Sequence, residues 1–343
     1  MVDQRSTICA PVIADLRGLV VEPDEIEILK HPKLGGICLF ARNYANPQQL
    51  TTLCEQIQIH ATNRLLICVD QEGGRIQRFI NGFSKLPSAQ KLGQLFDQNA
   101  SMALEATALA GSVMAGELLA CGVDLSFAPV VDLNRNLNTV IGNRSFHRKP
   151  QSVSTLASAF MNGMHRAGMC AVVKHFPGHG NVSVDSHLEM PVDNRELDTI
   201  LQSDAIPFTK LIDDGCDGVM TAHIKFATVD DLPPTFSSIW IREILRHKLK
   251  FNGVVFSDDL SMGGANLGST PLDRAQAAYQ AGCDGLLVCN DQQAARQVLD
   301  GLTALPSTPL NILEPGLLHK PHSDFSPDKM PEWSVQLSKL LKE

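Results

Sequence analysis

Eight short apolar runs recur along the chain, separated by turn residues and by segments whose apolar positions have helical spacing. The hydrophobic residues within a run are continuous and do not alternate with polar ones, which is typical of parallel strands buried on both faces. The runs are, in chain order, CAPVIAD (9–15), GGICLFAR (35–42), LLICVDQ (65–71), DLSFAPVVD (124–132), CAVVKH (170–175), DGVMTAH (217–223), GVVFSDD (253–259) and DGLLVCN (284–290).

Amphipathic stretches between the runs carry start and stop signals of helices, with proline near the start and glycine just past the end. Three of them are PQSVSTLASAFMNGMHRAG (150–168), NRELDTILQSDAIPFTKLIDDG (194–215) and TPLDRAQAAYQAG (270–282). Strand and helix alternating eight times predict an α/β protein with a (β/α)8 TIM barrel. A doubly wound open sheet is the alternative, but no G-x-G-x-x-G follows the first run to support its dinucleotide-binding form.

The barrel is predicted to occupy residues 1–304 as a single catalytic domain, a length that such barrels commonly reach. Residues 305–343 begin with a segment rich in proline and serine. We expect this tail to pack on the outside of the barrel and to end in a short helix near residues 333–341.

The composition and net charge of the chain limit the binding partners and the cellular compartment that we expect. The 343 residues are 44% hydrophobic and 19% charged, as in ordinary globular proteins, and the net charge of −8 argues against a nucleic-acid or anionic-membrane partner. Nine scattered cysteines without a C-x-x-C motif indicate free thiols in a reducing compartment. The start of the sequence lacks a signal-peptide pattern and no apolar run approaches ~20 residues, so we expect a cytoplasmic protein.

A polar or charged residue lies at the carboxyl end of every apolar run. In a barrel these ends meet at one face, where active sites lie. The arrangement therefore predicts a polar pocket for a ligand rich in hydroxyl or anionic groups. The residues are Asp15, Arg42, Asp70, Asp132, Lys174 with His175, His223, Asp258 and Asn290.

Four motifs carry a resemblance to a known family. DQEGGRIQR (70–78), IGNRSF (141–146), KHFPGHG (174–180) followed by DSH (185–187), and FSDDLSM (256–262) resemble glycoside hydrolase family 3 in order and spacing. The match is to its β-N-acetylglucosaminidase branch, the cytoplasmic enzymes of bacterial cell-wall recycling, and it covers residues 9–290.

The resemblance implies a retaining hydrolase without cofactor or metal. Its substrate would be a small glycan or muropeptide with nonreducing terminal β-N-acetylglucosamine linked to 1,6-anhydro-N-acetylmuramic acid. We expect a monomer with no nucleic-acid or membrane partner. Asp258 would be the nucleophile, His187 the general acid/base and Asp185 its partner. The sugar-binding residues would be Asp70, Arg78, Arg144, Lys174 and His175.

Retaining glycosidases usually use two carboxyl groups ~5 Å apart. Here the implied proton donor is a histidine, and an imidazole with a pKa near ~6.5 suits proton transfer at neutral pH. Glu72 and Glu189 are the carboxyl alternatives for the proton donor. Asp259 is the alternative nucleophile. Only one of the two adjacent aspartates can point into the barrel, because adjacent side chains on a strand face opposite ways. His187 follows a glycine-rich span, so we expect residues 178–189 to form a mobile loop that closes on bound sugar.

Three other functions remain open from the sequence. A metal-dependent barrel hydrolase would use His175, His179, His187, His223 and Asp258 as ligands, although the first run supplies no histidine. A sugar-binding protein without catalysis and a phosphorylase that transfers the glycosyl unit to phosphate are the others.

The implied Asp–His pair predicts a specific kinetic effect. Asp185→Ala is expected to lower kcat while leaving substrate binding nearly intact, because Asp185 acts through His187. Steady-state kinetics on an aryl β-N-acetylglucosaminide measure both constants. A large rise in KM with unchanged kcat would contradict the assignment.

Overall fold

The eight apolar runs form strands in the computed structural model, which describes residues 10–135, 137, 140–182, 190–266, 269–302 and 325–341. Two short pairs of strands are added outside these runs. The strands are β1 (Val12–Asp15), β2 (Leu34–Leu39), β3 (Leu66–Val69), β4 (Gln71–Gly73), β5 (Ile76–Gln77), β6 (Leu125–Ser126), β7 (Val172–Phe176), β8 (Val192–Asp193), β9 (Gly218–Thr221), β10 (Lys225–Phe226), β11 (Val254–Phe256) and β12 (Leu286–Leu287).

Helices follow most of the strands. They are α1 (Ile26–Leu29), α2 (Pro47–His60), α3 (Ala89–Gln98), α4 (Ala100–Ala120), α5 (Pro150–Ala167), α6 (Leu197–Leu201), α7 (Ile206–Asp213), a π-helix (Ile239–Lys248), α8 (Pro271–Ala281), α9 (Gln292–Gly301) and α10 (Met330–Leu340). Short 3-10 turns lie at Pro23–Glu25, Ala41–Asn43, Gly142–Arg144, Pro234–Phe236, Gly263–Ala265 and Pro327–Lys329.

The main strands pair in parallel within two sheets. Five strands lie in the order β12–β1–β2–β3–β6, and three lie in the order β11–β9–β7. Single bridges join the edges of the two sheets, from Ser126 to Ala171 and from Phe256 to Gly285. The prediction of an α/β protein built on parallel strands is therefore confirmed, with the sheets forming at least a half-barrel.

The strands are buried on both faces, which explains their continuous apolar sequences. One set of alternate residues packs inside the curved sheets, and it includes Cys38, Cys68, Val172 and Phe256. The intervening residues, such as Val173 and Val255, pack against the helices. Side chains two residues further along the first set therefore point toward the open end of the interior.

Phe256 fits closely between two neighbouring glycines. A Cβ atom placed on Gly285 would lie 2.5 Å from the Phe256 ring, and one on Gly218 would lie 3.2 Å from it. Gly218 lies opposite Val254 in the β9–β11 register. The absence of side chains at these two positions leaves the space that the phenylalanine ring fills.

Helix boundaries follow the sequence signals in most places. Asn46 caps α2, Thr270 forms a capping box at α8, and α5 ends at Gly168 in the left-handed conformation. The 194–215 stretch differs from the pattern of one amphipathic segment, because it divides into α6 and α7. Asp204 lies buried between the two helices and pairs with arginines, which favours a break over a continuous helix.

Helix α4 is long and apolar enough to cross a membrane by length and composition alone. It has 21 residues, and 67% of its most apolar window is buried inside the protein. Its neighbours are α3, α5 and α10, so its apolar surface is covered by other helices.

The terminal helix α10 lies where the tail was expected to be helical. Met330, Trp333 and Leu337 are its buried residues, and the guanidinium of Arg166 lies 4.4 Å from the centre of the Trp333 ring. The division of the chain at residues 304 and 305 stays a prediction, because 303–324 lie outside the described residues. The same holds for the predicted mobile loop, of which residues 183–189 are not described.

Close packing of α4 on α5 predicts the effect of one added methyl group. A Cβ at Gly163 would lie 2.1 Å from the Ala108 carbonyl oxygen, so Gly163→Ala must push the helices apart. We expect a net loss of ~1–3 kcal/mol in unfolding free energy, because this overpacking exceeds the gain in helix propensity. Thermal or urea unfolding measures it.

Gly18→Ala is the matched control, since nothing lies within 4 Å of a Cβ at Gly18. Equal stability of the Gly163 variant and the control would contradict the packing argument.

Candidate active site

A cleft of about 460 Å³ opens at the carboxyl ends of the parallel strands. It brings together six of the eight residues that the sequence motifs implied, which are Asp70, Arg78, Arg144, Lys174, His175 and Asp258. Asp185 and His187 lie outside the described residues, so their positions stay predictions. The cleft is also bordered by Arg75, His179, Met262 and Asn290.

The orientation of three of these side chains follows from strand periodicity. Asp70, Lys174 and Asp258 each come two residues after an interior residue, namely Cys68, Val172 and Phe256. Because alternate side chains of a strand share a face, all three are directed into the same cavity. This periodicity is present in the sequence and could have supported their selection without the family motifs.

A buried ionic cluster forms one wall of the cleft. The Lys174 ammonium donates to Asp70 Oδ1 at 2.6 Å and lies 2.7 Å from Glu72 Oε1. Arg144 pairs with Glu72 through two hydrogen bonds of 2.8 Å, from Nε and Nη2. Lys174 is 1% exposed, so its positive charge depends on these carboxylates for stabilisation.

Glu72 is unsuited to donate a proton. Burial alone would raise its pKa, but the charges of Arg144 and Lys174 and their hydrogen bonds hold the pKa well below its usual range. The carboxylate therefore stays ionised at neutral pH and serves as an acceptor. This removes Glu72 from the two carboxyl alternatives for the general acid, while Glu189 lies outside the described residues.

Asp70 lies between Lys174 and Arg78 at the exposed edge of the ionic cluster. Its Oδ1 accepts from Lys174, and its Oδ2 lies 3.7 Å from Arg78 Nη2. The side chain is 27% exposed, in contrast to the 6% of Glu72. Asp70 is thus held by buried charge on one side and remains open to a ligand on the other.

Asp132 was recognised in the sequence only as a polar strand end, and its role as a positioning group was missed. It is fully buried and accepts from His175 Nδ1 at 2.6 Å and from the backbone N–H of His179 at 2.7 Å. Burial raises the pKa of Asp132, but the charges and hydrogen bonds of His175 and His179 together lower it below its ordinary value. Asp132 therefore orients the His175 ring so that Nε2 faces Arg144, at 3.5 Å from Arg144 Nη2.

His179 is buried beside this pair. Burial, together with repulsion from His175, lowers the pKa of His179 to about 4. The ring is consequently neutral at physiological pH and contributes no cation to the cleft.

The adjacent aspartates Asp258 and Asp259 have opposite electrostatic environments. Burial by itself raises the pKa of Asp258, but His175, His223 and the Asp259 backbone N–H lower it below its ordinary value. Burial raises the pKa of Asp259 to about 7. Only Asp258 is thus fully ionised at neutral pH, as a nucleophile requires.

Asp259 also has a structural task, although it borders the cleft. Its Oδ1 accepts from the backbone N–H groups of Ser261 and Cys289 at 3.0 and 3.1 Å. These bonds tie the loop after β11 to the end of β12 and occupy the side chain.

His223, a candidate for the pocket wall, is fully buried and is not among the residues that line the cleft. Its Nε2 is 3.1 Å from the Asp259 carbonyl oxygen and its Nδ1 is 3.1 Å from Thr235 Oγ1. It supports the backbone that carries the two aspartates. Among the described residues, no group of three or more histidine, cysteine or acidic side chains is arranged to hold a metal ion.

Comparison with known proteins identifies the family of the chain. Residues 13–310 match the family described as glycosyl hydrolase family 3 N terminal domain. The chain belongs to glycosyl hydrolase family 3. The resemblance inferred from the four motifs is thereby confirmed.

Relatives of this family 3 chain carry consistent names. A β-hexosaminidase of Thioalkalivibrio sulfidiphilus is 48% identical over 90% of this chain and 88% of its own length. The crystal structure of NagZ from Neisseria gonorrhoeae in complex with N-trifluoroacetyl-D-glucosamine has 40% identity and a TM-score of 0.87, covering 97% of this chain and 98% of that chain. A family 3 β-N-acetylglucosaminidase from Paenibacillus has 32% identity and a TM-score of 0.82, covering 100% of this chain and 63% of that chain. The enzyme class, a family 3 glycoside hydrolase of the β-hexosaminidase type, is confirmed.

The paired state of Glu72 predicts a pH-dependent effect on stability. Its pKa in the folded protein lies below the ordinary value of 4.5, so pairing stabilises the fold fully above about pH 5 and less as the pH falls. Glu72→Gln is expected to cost ~3 kcal/mol at pH 7, because two buried cations lose a partner. The difference from the wild type should shrink toward pH 3.

Urea unfolding at several pH values measures this difference, with Glu243→Gln, at an exposed position of the π-helix, as the control. A stability loss for Glu72→Gln that is the same at pH 3 and pH 7 would show that the ionised form of Glu72 is not what stabilises the fold.

Proposed function

We propose that the chain is a retaining β-N-acetylglucosaminidase that forms a covalent glycosyl-enzyme on Asp258. The observation that carries this proposal is the contrast between the two adjacent acids: Asp258 is ionised and directed into a cleft lined with Lys174 and His175, whereas Asp259 is held by backbone donors. A nucleophile must present a free, ionised oxygen to the anomeric carbon at neutral pH.

The ionic wall is suited to hold the sugar. Asp70 offers an acceptor for hydroxyl groups, and Arg78, Arg144 and Lys174 offer donors around it. Since these cations are already paired with carboxylates, they contribute little net charge and favour a neutral, hydroxyl-rich ligand. In the proposed reaction such contacts orient the anomeric carbon toward Asp258.

The chemical steps follow the retaining scheme. Asp258 attacks the anomeric carbon as the bond to the leaving oxygen breaks, and that oxygen takes a proton from His187, which Asp185 orients. A water molecule then returns its proton to His187 and attacks the glycosyl-enzyme, which releases the sugar and Asp258. The roles of His187 and Asp185 rest on the DSH motif (185–187).

The proposed substrate carries nonreducing terminal β-N-acetylglucosamine, linked to 1,6-anhydro-N-acetylmuramic acid or its peptide derivatives. The names of the relatives support a hexosaminide, and the complex of NagZ with N-trifluoroacetyl-D-glucosamine supports an N-acylated glucosamine. The cell-wall recycling role, the cytoplasmic location and the monomeric state belong to the same proposal.

We propose further that the two parallel sheets belong to one closed (β/α)8 barrel. The bridges Ser126–Ala171 and Phe256–Gly285 support closure, because they link the outer strands of the five-stranded sheet to those of the three-stranded sheet. A closed barrel would leave no open edge on these strands.

Isosteric substitution of the two aspartates tests the nucleophile. Asp258→Asn is expected to lower kcat on an aryl β-N-acetylglucosaminide on the order of 10⁴-fold, as loss of a catalytic residue does. Asp259→Asn should remain within about tenfold of the wild type, because an amide oxygen can still accept from two backbone donors. An active Asp258→Asn would refute the assignment.

Three further measurements separate the alternative functions. Mass spectrometry of the wild type quenched during turnover should find the sugar attached to the peptide that contains Asp258. Equal rates on the matching β-glucoside would refute selectivity for the N-acetyl group. A product phosphorylated at the anomeric carbon when phosphate is present would favour the phosphorylase.

A further inference from the structure

Three cysteines lie together beneath the sugar-binding cleft. Cys38 on β2, Cys68 on β3 and Cys289 just after β12 belong to the interior cluster of the sheets, and all are free thiols. Cys38 and Cys289 also line the cleft itself, beside Phe127 and Met220. The function proposed above uses none of the three.

The strand register sets Cys38 directly beside Cys68. The two residues are Cα partners in the parallel β2–β3 pair. The Cys68 thiol donates to the Ile37 carbonyl oxygen at 3.6 Å. Neighbouring strands lie ~4.8 Å apart, which falls within the Cα separations of ~4.4–6.8 Å that disulfides span. Cys289 follows β12, two strands away from β2, and its thiol donates to the Ile13 carbonyl oxygen at 4.0 Å.

Cys38 is the thiol of the pair that a small oxidant in the cleft can reach, since Cys38 lines the cleft and Cys68 does not. The neighbouring Cys289 and Cys68 thiols lower the pKa of the Cys38 thiol to about 6, against the opposing effect of burial. Burial and the neighbouring Cys38 thiol raise the pKa of Cys68. A thiolate next to a neutral thiol is the arrangement found in reactive cysteine pairs.

We propose that Cys38 and Cys68 form a redox-active pair, which hydrogen peroxide entering through the cleft converts reversibly to a disulfide that inactivates the enzyme. The Cys38 thiolate attacks one peroxide oxygen, the O–O bond breaks, and hydroxide leaves to give a sulfenic acid. The Cys68 thiol then attacks the Cys38 sulfur and the S–O bond breaks. Protons from the two thiols and two electrons pass to the peroxide, which ends as two water molecules.

The disulfide would act on the sugar site through β3. Asp70 follows Cys68 by two residues on the same face, and it accepts from the buried Lys174. Disulfides most often join Cα atoms ~5.5–6 Å apart, which exceeds the ~4.8 Å spacing of neighbouring strands, so formation of the bond pushes β2 and β3 apart locally. A displacement of ~1 Å at a binding group can reduce the rate on the order of 10²-fold.

Peroxide treatment of the reduced wild type tests the proposal. Activity on an aryl β-N-acetylglucosaminide should fall by at least about tenfold and recover with dithiothreitol. Peptide mapping without reductant should find Cys38 linked to Cys68, with the loss of two hydrogen atoms in mass. N-acetylglucosamine at saturating concentration should slow the reaction, because it fills the route to Cys38.

Variants separate the pair from other oxidisable groups. Cys38→Ala should abolish the reversible inactivation, and Cys68→Ala should abolish the disulfide. Cys170→Ala should respond as the wild type does, because Cys170 lies in the same interior cluster but not on the cleft wall.

Several results would overturn the proposal. These are inactivation of Cys38→Ala at the wild-type rate, a linkage of Cys38 to Cys289, or activity loss that tracks sulfoxide formation at Met220 or Met262, which also line the cleft. If Cys38→Ala does not fold, the peptide map of the wild type alone decides, since it identifies the linked residues directly.

Discussion

The ammonium group of Lys174 lies between the carboxylates of Asp70 and Glu72, almost completely removed from water. A buried charge of this kind is tolerated only when its partners are in place, because the loss of hydration must be offset by close opposite charges. The members of this ionic cluster come from three separate parts of the chain: β3 and the hairpin after it, the loop that carries Arg144, and β7. The ionic wall of the cleft can therefore form only when these segments are correctly assembled, which makes the site a consequence of the whole fold.

The sequence was sufficient for the strands and for part of the cleft, since Asp132 and His223, expected in the pocket, are buried and do not line it. Continuous apolar runs predicted the eight parallel strands, and the motifs selected six residues that the cleft brings together. The sequence was insufficient to predict the contacts between side chains. Glu72 was a candidate acid until its partners Arg144 and Lys174 were known, and these lie 72 and 102 residues away along the chain. Pairing over such separations depends on tertiary packing, and no local pattern encodes it.

Helix boundaries and the role of Asp132 illustrate the same limit. The 194–215 stretch has amphipathic spacing throughout, yet it does not form one continuous helix. Asp204 forms ion pairs with Arg135 and Arg195, and the helix is interrupted around this residue. Asp132 differs from other strand-end acids only because a histidine ring and two backbone N–H groups happen to converge on it. Propensity and periodicity describe a residue's own element, whereas these roles are set by neighbouring elements.

The ring of Phe256 between Gly218 and Gly285 has a consequence for the chemistry two residues further on. Asp258 and Asp259 follow β11 closely and have different environments, so a slip of β11 by one residue would exchange them. The bulky ring can occupy only the gap that the two glycines leave, and it thereby prevents such a slip. Two positions that lack side chains thus help to determine which of two identical acids takes the position of Asp258. A methyl group added at either glycine would perturb this choice without touching the cleft.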